Sequence, residues 1–98
     1  MKQEKIYNLM KNLNKDWNLV GNSLKRDFVF KDFKSAFKLM NNVADVAEEI
    51  NHHPTWTNTY NQLEITLTTH DTGGISKLDF ELAEKIDYIY NNQNSLGK

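Results

Sequence analysis

Apolar positions recur along this chain with two different periods, and the switches between them mark its elements. Ile6, Leu9, Met10 and Leu13 fall at helical spacing, which predicts a short helix from Lys2 to about Asn12. Asn14, Asp16, Asn18, Gly21 and Asn22 then interrupt it with turn-prone residues. From Leu24 to Phe30 the period is two: Leu24, Arg26, Phe28 and Phe30 share one face, and Lys25, Asp27 and Val29 the other. This is a half-buried strand in which Arg26 is the odd member of the apolar face. The short Trp17–Val20 run is its expected hairpin partner, across Gly21-Asn22-Ser23. Phe33, Ala36, Phe37, Met40, Val43, Ala44, Ala47 and Ile50 restore the helical period, with Asp32 as N-cap. Pro54 disfavours helical geometry at His53, so this helix should stop near Asn51.

A second strand pair follows, Trp56–Tyr60 and then Leu63, Ile65 and Leu67 alternating with Glu64, Thr66 and Thr68. Gly73-Gly74 turns the chain. Ser76 with Asp79 three residues later resembles a capping box and opens a last helix, with Leu78, Leu82, Ala83, Ile86, Ile89 and Tyr90 as its buried stripe. The polar tail after Asn91 is expected to fray. The strands of each pair lie too close in sequence for a parallel crossover, so both pairs are read as antiparallel hairpins. The order α-β-β-α-β-β-α then describes an α+β layer structure with one sheet face under the helices. No repeat or linker divides the chain, which reads as a single domain over residues 1–98.

Composition narrows the chemistry. The absence of cysteine excludes disulfides, thiol nucleophiles, Fe–S clusters and cysteine-type zinc sites. Twelve basic against thirteen acidic side chains provide no single-sign field for nucleic acid or an anionic membrane. No apolar run exceeds four residues, and the N-terminus lacks the apolar stretch of a secretory signal. The expectation is a soluble protein of the cytoplasm. The aromatic residues Trp17, Phe28, Phe30, Phe33 and Phe37 read as core, and Lys34, Lys38, Asp45 and Glu49 as a solvated helix face.

The three histidines carry the remaining signal. His52 and His53 end the long helix, and His70 ends the last strand. Strands of similar length in the hairpin between them carry His70 back towards His52, so one cleft can collect all three imidazoles. Histidine titrates near neutral pH unaided, which suits general acid–base work. Glu48, one helical turn before His52, is placed to hold that ring's tautomer. Histidines at a helix end also serve as plain caps or surface residues. A three-histidine metal site is a further reading, weakened because adjacent histidines rarely aim at one ion. Parity raises an objection too: strict alternation puts His70 on the face of Glu64, Thr66 and Thr68. It reaches a helix-side cleft only if the strand twists out or ends before Thr69.

The spaced residues Glu48-x3-His52-His53-Pro54-x5-Tyr60-x9-His70-x8-Asp79 resemble the signature of the pterin-4a-carbinolamine dehydratases. The segment NHHPTWTNTYNQLEITLTTHDTGGIS, together with Trp17, the FVFKDF stretch and Ala36-Phe37, extends the similarity from about Leu13 to Tyr90. The resemblance implies four antiparallel strands with three helices on one face. It implies dehydration of 4a-hydroxytetrahydropterins to quinonoid dihydropterins without metal or organic cofactor, regenerating the pterin that aromatic amino acid hydroxylases use. It implies homodimers or homotetramers, the dimer often joining two sheets edge to edge. It carries the family's active-site histidines onto His52, His53 and His70, and its acidic positions onto Glu48 and Asp79. On this reading His52 is the principal acid supported by Glu48, His70 is the second acid–base group, and His53 binds and orients the ring. Backbone groups near Pro54 and along Thr69, His70, Asp71 and Thr72 would read the amide edge of the pterin, with Trp56 nearby. The alternatives are a dimerising regulatory module with a vestigial pterin site, and a metal-dependent hydrolase on the three histidines. The presence of all three histidines and both acids argues against decay of the site.

Overall fold

The computed structural model describes residues 2–70 and 73–96. Its elements are α1 (Gln3–Met10), β1 (Asn18–Val20), β2 (Ser23–Val29), α2 (Phe33–Ile50), β3 (Thr55–Thr59), β4 (Gln62–Leu67) and α3 (Lys77–Leu96), the order that the two periods predict. All four strands pair antiparallel, in the spatial order β1-β2-β4-β3. The two hairpins are thus joined through β2 and β4, with Arg26 opposite Ile65 and Phe28 opposite Leu63. Among the described residues no helix is long and apolar enough to cross a membrane.

Alternation decides which sheet face is covered. Leu24, Phe28 and Phe30 of β2 and its extension, with Leu63, Ile65 and Leu67 of β4, are buried against Ala36, Leu39 and Val43 of α2 and Leu82, Ala83 and Ile86 of α3. Ile6, Leu9 and Met10 of α1 pack against the same cluster and stay partly exposed. Each large side chain fully buried in this way contributes about 1.5–3 kcal/mol relative to exposure.

Two helical stripes differ from the expected ones. On α2 the buried residues are Ala36, Leu39, Val43 and Ala47, while Phe33 and Phe37 are about half exposed. At roughly 100° per residue those two rings sit well round the helix from Leu39 and Val43. The sheet claims the Leu39 side, and the rings touch each other instead, 5.9 Å apart. On α3, Phe80 is buried and Leu78 is exposed, and the helix continues to Leu96 instead of ending at Asn91.

Arg26 does lie on the buried face, and Asp87 of α3 explains it. Its Nη1 donates to Asp87 Oδ1 at 2.6 Å, and its guanidinium lies 4.4 Å and 5.1 Å from the ring centres of Phe28 and Tyr90. The same Oδ1 accepts from Trp17 Nε1 at 2.8 Å, and Oδ2 accepts from the Asn14 backbone N–H at 3.3 Å. One carboxylate therefore ties α3 to β2 and to the segment between α1 and β1. Asp32 caps α2 as expected, accepting from the Ser35 N–H at 2.8 Å.

Two outcomes follow for stability. Removing Asp87 leaves a guanidinium with only 5% of its side chain exposed and, for a charge partner, only the exposed Asp16 carboxylate at 3.6 Å, so Asp87→Ala should lower the urea-unfolding free energy by up to about 3–5 kcal/mol. Replacing Arg26 and Asp87 together by Met and Leu should cost less, about 1–3 kcal/mol, because no buried charge is left and the remaining loss is the acceptor of the Trp17 N–H. The Asp32 carboxyl is held below its ordinary value of 3.8, chiefly by the Ser35 backbone N–H, with the Ser35 hydroxyl, Lys31 and Lys34 assisting against partial burial. A depressed carboxyl stabilises the fold above pH 3.8 and loses that contribution as pH falls through its folded value. Asp32→Ala should accordingly lower Tm at neutral pH, and the gap to the parent protein should close on acidification.

Candidate active site

The site begins where α2 ends. Asn51 follows the helix in the left-handed region (φ 52°, ψ 45°), a conformation asparagine tolerates better than most residues. Its N–H reaches the Glu48 carbonyl at 3.3 Å, and the His52 N–H reaches the Ala47 carbonyl at 3.0 Å, the paired bonds of a Schellman ending. The chain therefore reverses before His52, and i,i+4 spacing no longer governs what His52 meets. Glu48 meets His53 instead: its Oε2 lies 2.5 Å from His53 Nε2, on an exposed surface. The expected Glu48–His52 contact is replaced by a His52–Asp79 contact, Nε2 to Oδ1, at 2.6 Å.

Asp79 has no exposed surface. It combines the expected capping role with the histidine contact. Its Oδ2 accepts from the Ser76 N–H at 2.9 Å, as in a capping box, and from Thr69 Oγ1 at 2.8 Å. Ser76 Oγ accepts from the Leu78 N–H at 3.3 Å and lies 2.7 Å from Thr69 Oγ1.

β4 ends at Leu67, which resolves the parity objection to His70. Thr69 leaves the ladder and bridges Gly74, with Thr69 N–H to Gly74 O at 2.9 Å and Gly74 N–H to Thr69 O at 3.1 Å. The Gly73 N–H returns to the His70 carbonyl at 3.0 Å, at a φ of +72° that glycine accepts without strain. His70 is thus presented on a small turn rather than on a flat strand. Asp71 and Thr72, expected to line the site, lie outside the described residues.

Among the described residues Asn51, His52, His53, Thr55, Thr68, Thr69 and His70 line one open cleft of about 270 Å³. All three histidines meet there. A larger hollow of about 580 Å³ between α1 and the start of α3 contains no histidine. Pro54 and Trp56 lie next in sequence to the cleft residues, and Trp56 packs against the core. Among the described residues no group of three or more His, Asp or Glu side chains is arranged to hold a metal ion. The residue pattern did not single out Asn51, Thr55 and Thr68 as lining, nor the His52–Asp79 pairing. The pairing was hinted at by Asp79 in a capping box, which uses only one of its two oxygens.

The family model described as pterin 4 alpha carbinolamine dehydratase matches residues 1–89. The chain belongs to the pterin-4a-carbinolamine dehydratase family. A Drosophila melanogaster member named pterin-4-alpha-carbinolamine dehydratase is 43% identical over 91 residues, covering 91% of this chain and 47% of that protein. The crystal structure of a transcriptional coactivator/pterin dehydratase from Brucella melitensis superposes with a TM-score of 0.87 at 35% identity, covering 92% of this chain and 97% of that one. A pterin dehydratase-like RuBisCO assembly factor of the alpha-carboxysome shares the fold alone, with a TM-score of 0.67 at 20% identity over 79% of this chain and 92% of its own. The family signature separates into two places in this member. Tyr60 stands at the far tip of the β3–β4 hairpin, roughly 16 Å of strand from the histidines at about 3.3 Å per residue. There it adopts a φ of 51°, while Asn61 donates to the Phe30 carbonyl at 2.9 Å. Tyr60 and its neighbour Asn61 set the hairpin turn and its docking on β2.

The left-handed ending makes a direct expectation. Asn51→Gly should retain stability, whereas Asn51→Ala should lose about 1 kcal/mol in urea unfolding, the cost of forcing a Cβ residue into that region.

Proposed function

We propose that this protein dehydrates 4a-hydroxytetrahydropterins to quinonoid dihydropterins and water by general acid–base catalysis on its histidines. The observation that carries the reading is the convergence of His52, His53 and His70 on one cleft in a member of this family. Its volume, about 270 Å³, suits a flat bicyclic ring better than a larger ligand.

Elimination from C4a needs a proton delivered to the departing hydroxyl and a ring N–H proton removed, so that the nitrogen lone pair closes the C=N bond as the C–O bond breaks. Imidazoles perform both transfers near neutral pH, each contributing typically 10²–10⁴-fold. In this scheme His52 is the principal acid and His70 the second acid–base group, on the opposite face of the ring. His53, steadied by Glu48, binds and orients the pterin. Asp79 takes over the support of His52 that the residue spacing assigns to Glu48. The backbone around Pro54 and Thr69 reads the amide edge of the substrate, with Asp71, Thr72 and Trp56 as further candidates. The scheme calls on no metal or organic cofactor. We place the protein in the cytoplasm as a homodimer or homotetramer, serving pterin recycling for an aromatic amino acid hydroxylase where one is present.

A second reading is a dimerising regulatory module, supported by the coactivator name carried by the Brucella melitensis relative. The decay of a freshly made 4a-hydroxytetrahydropterin, followed by ultraviolet absorbance, separates the two. The dehydratase should accelerate that decay with or without a chelator, and His52→Ala and His70→Ala should each lose about 10²–10⁴-fold in turnover. Full turnover in both variants would overturn the histidine assignment. No acceleration by the parent protein would favour the module.

A further inference from the structure

The buried carboxylate of Asp79 uses its two oxygens for different tasks, and the donors on one of them leave the other to His52. Oδ2 receives the Ser76 backbone N–H at 2.9 Å and the Thr69 hydroxyl at 2.8 Å. A backbone N–H only donates, and a carboxylate only accepts. The Thr69 hydroxyl therefore spends its single proton on Asp79. Its 2.7 Å contact with Ser76 Oγ must then be donated by Ser76, whose oxygen in turn accepts from the Leu78 N–H at 3.3 Å. The whole chain of donors points at Oδ2 and fixes the rotation of the carboxylate. Oδ1 is left facing His52 Nε2 at 2.6 Å, and as an acceptor it requires the proton on that nitrogen.

We propose that Thr69 and Ser76 are positioning residues that fix the rotation of Asp79, and that the Asp79 carboxylate so placed locks His52 in its Nε2–H tautomer and leaves Nδ1 as the nitrogen that exchanges a proton with the ligand. The lock itself stands on the hydrogen-bond geometry, and only the assignment of Nδ1 to proton exchange rests on the dehydratase reading. Thr69 is then not a reader of substrate through its side chain. Its hydroxyl is committed to Asp79, while its neighbour His70 faces the cleft. The Thr69–Asp79 bond also joins the segment carrying His70 to the carboxylate that holds His52, so the spacing of the two rings depends on it.

The near-isosteric variant Asp79→Asn gives a sharp test. The Ser76 N–H and the Thr69 hydroxyl still need an acceptor, so the new amide must place its oxygen at the former Oδ2 position and its NH2 towards His52. Nε2 then becomes the acceptor, and the proton moves to Nδ1. Long-range proton–nitrogen correlation spectra of the nitrogen-15-labelled, ligand-free protein, recorded where the ring is neutral, read this directly. In the parent protein His52 Nε2 should resonate as the protonated nitrogen and Nδ1 as the bare one, and in Asp79→Asn the two should exchange. Thr69→Val should keep the parent tautomer, because either oxygen of a carboxylate accepts from Nε2–H, but it should free the rotation of Asp79 and lower kcat by up to about 10²-fold, and Thr69→Ser should restore it. Turnover of the 4a-hydroxytetrahydropterin should fall as well: the Asp79 carboxylate accepts from Nε2–H and so supports the doubly protonated ring that delivers an Nδ1 proton to the departing hydroxyl, whereas an amide NH2 cannot, and kcat should drop by about 10²–10⁴-fold in Asp79→Asn with KM little changed. A protonated Nδ1 in the parent, or an unchanged pattern in Asp79→Asn, would overturn the lock, and a parent-like kcat in Thr69→Val would overturn the positioning role. If Asp79→Asn does not fold, the parent spectrum decides the tautomer, and kcat of Thr69→Val against Thr69→Ser decides the positioning role. Exchange of the two resonances in a protein without turnover would uphold the lock and overturn only the dehydratase reading.

Discussion

The Asp79 carboxylate is the point on which the site depends, because three separated pieces of chain end at it. It accepts from the first turn of α3 through the Ser76 N–H, from the end of β4 through Thr69, and from the end of α2 through His52. A buried carboxylate with fewer donors would be costly to keep out of water, whereas three donors make the same charge a fixed corner. The fold builds the cleft around that corner: the Schellman ending at Asn51 delivers His52 to one oxygen, and the bridge of Thr69 to Gly74 delivers the Thr69 hydroxyl to the other.

Asp87 acts in the same way roughly two helical turns further along α3. It gathers Arg26, Trp17 and the Asn14 backbone into a second buried polar cluster beneath the sheet. Arginine suits this place because its planar head lies against the rings of Phe28 and Tyr90 while its nitrogens bind carboxylate. The two aspartates divide α3 between them: Asp79 anchors the histidine cleft at its start, and Asp87 anchors β2 and the segment before β1. Between them the helix needs only small and branched apolar residues, Leu82, Ala83 and Ile86, to close on the sheet.

Surface pairs contribute differently. Glu48 and His53 approach to 2.5 Å but are more than half exposed, so their attraction is worth at most about 1 kcal/mol and serves orientation more than stability. Their value lies in holding one imidazole at the rim while the other is largely covered, its side chain 11% exposed. The paired histidines thereby differ in surroundings although they are neighbours in sequence, as the proposed division of labour between an acid and a binding group requires.

Much of this was legible from residue order alone. Period-two and period-3.6 patterns are local, so they determined the seven elements, the N-cap at Asp32, the inward face of β2 with its odd Arg26, and the capping box at Ser76. Residue types at fixed offsets also pointed to the three histidines and the two acids. What the tertiary structure decided were the relations between distant segments. It decided that β2 and β4 are the inner strands, that the sheet takes the Leu39 side of α2 and leaves Phe33 and Phe37 at its flank, and that His52 pairs with Asp79 rather than Glu48. The physical reason is the same in each case. Local periodicity tells a side chain which face of its own element it occupies, but a partner across 27 residues is chosen by how the elements pack and by a single left-handed residue, Asn51, that turns the chain out of its helical register.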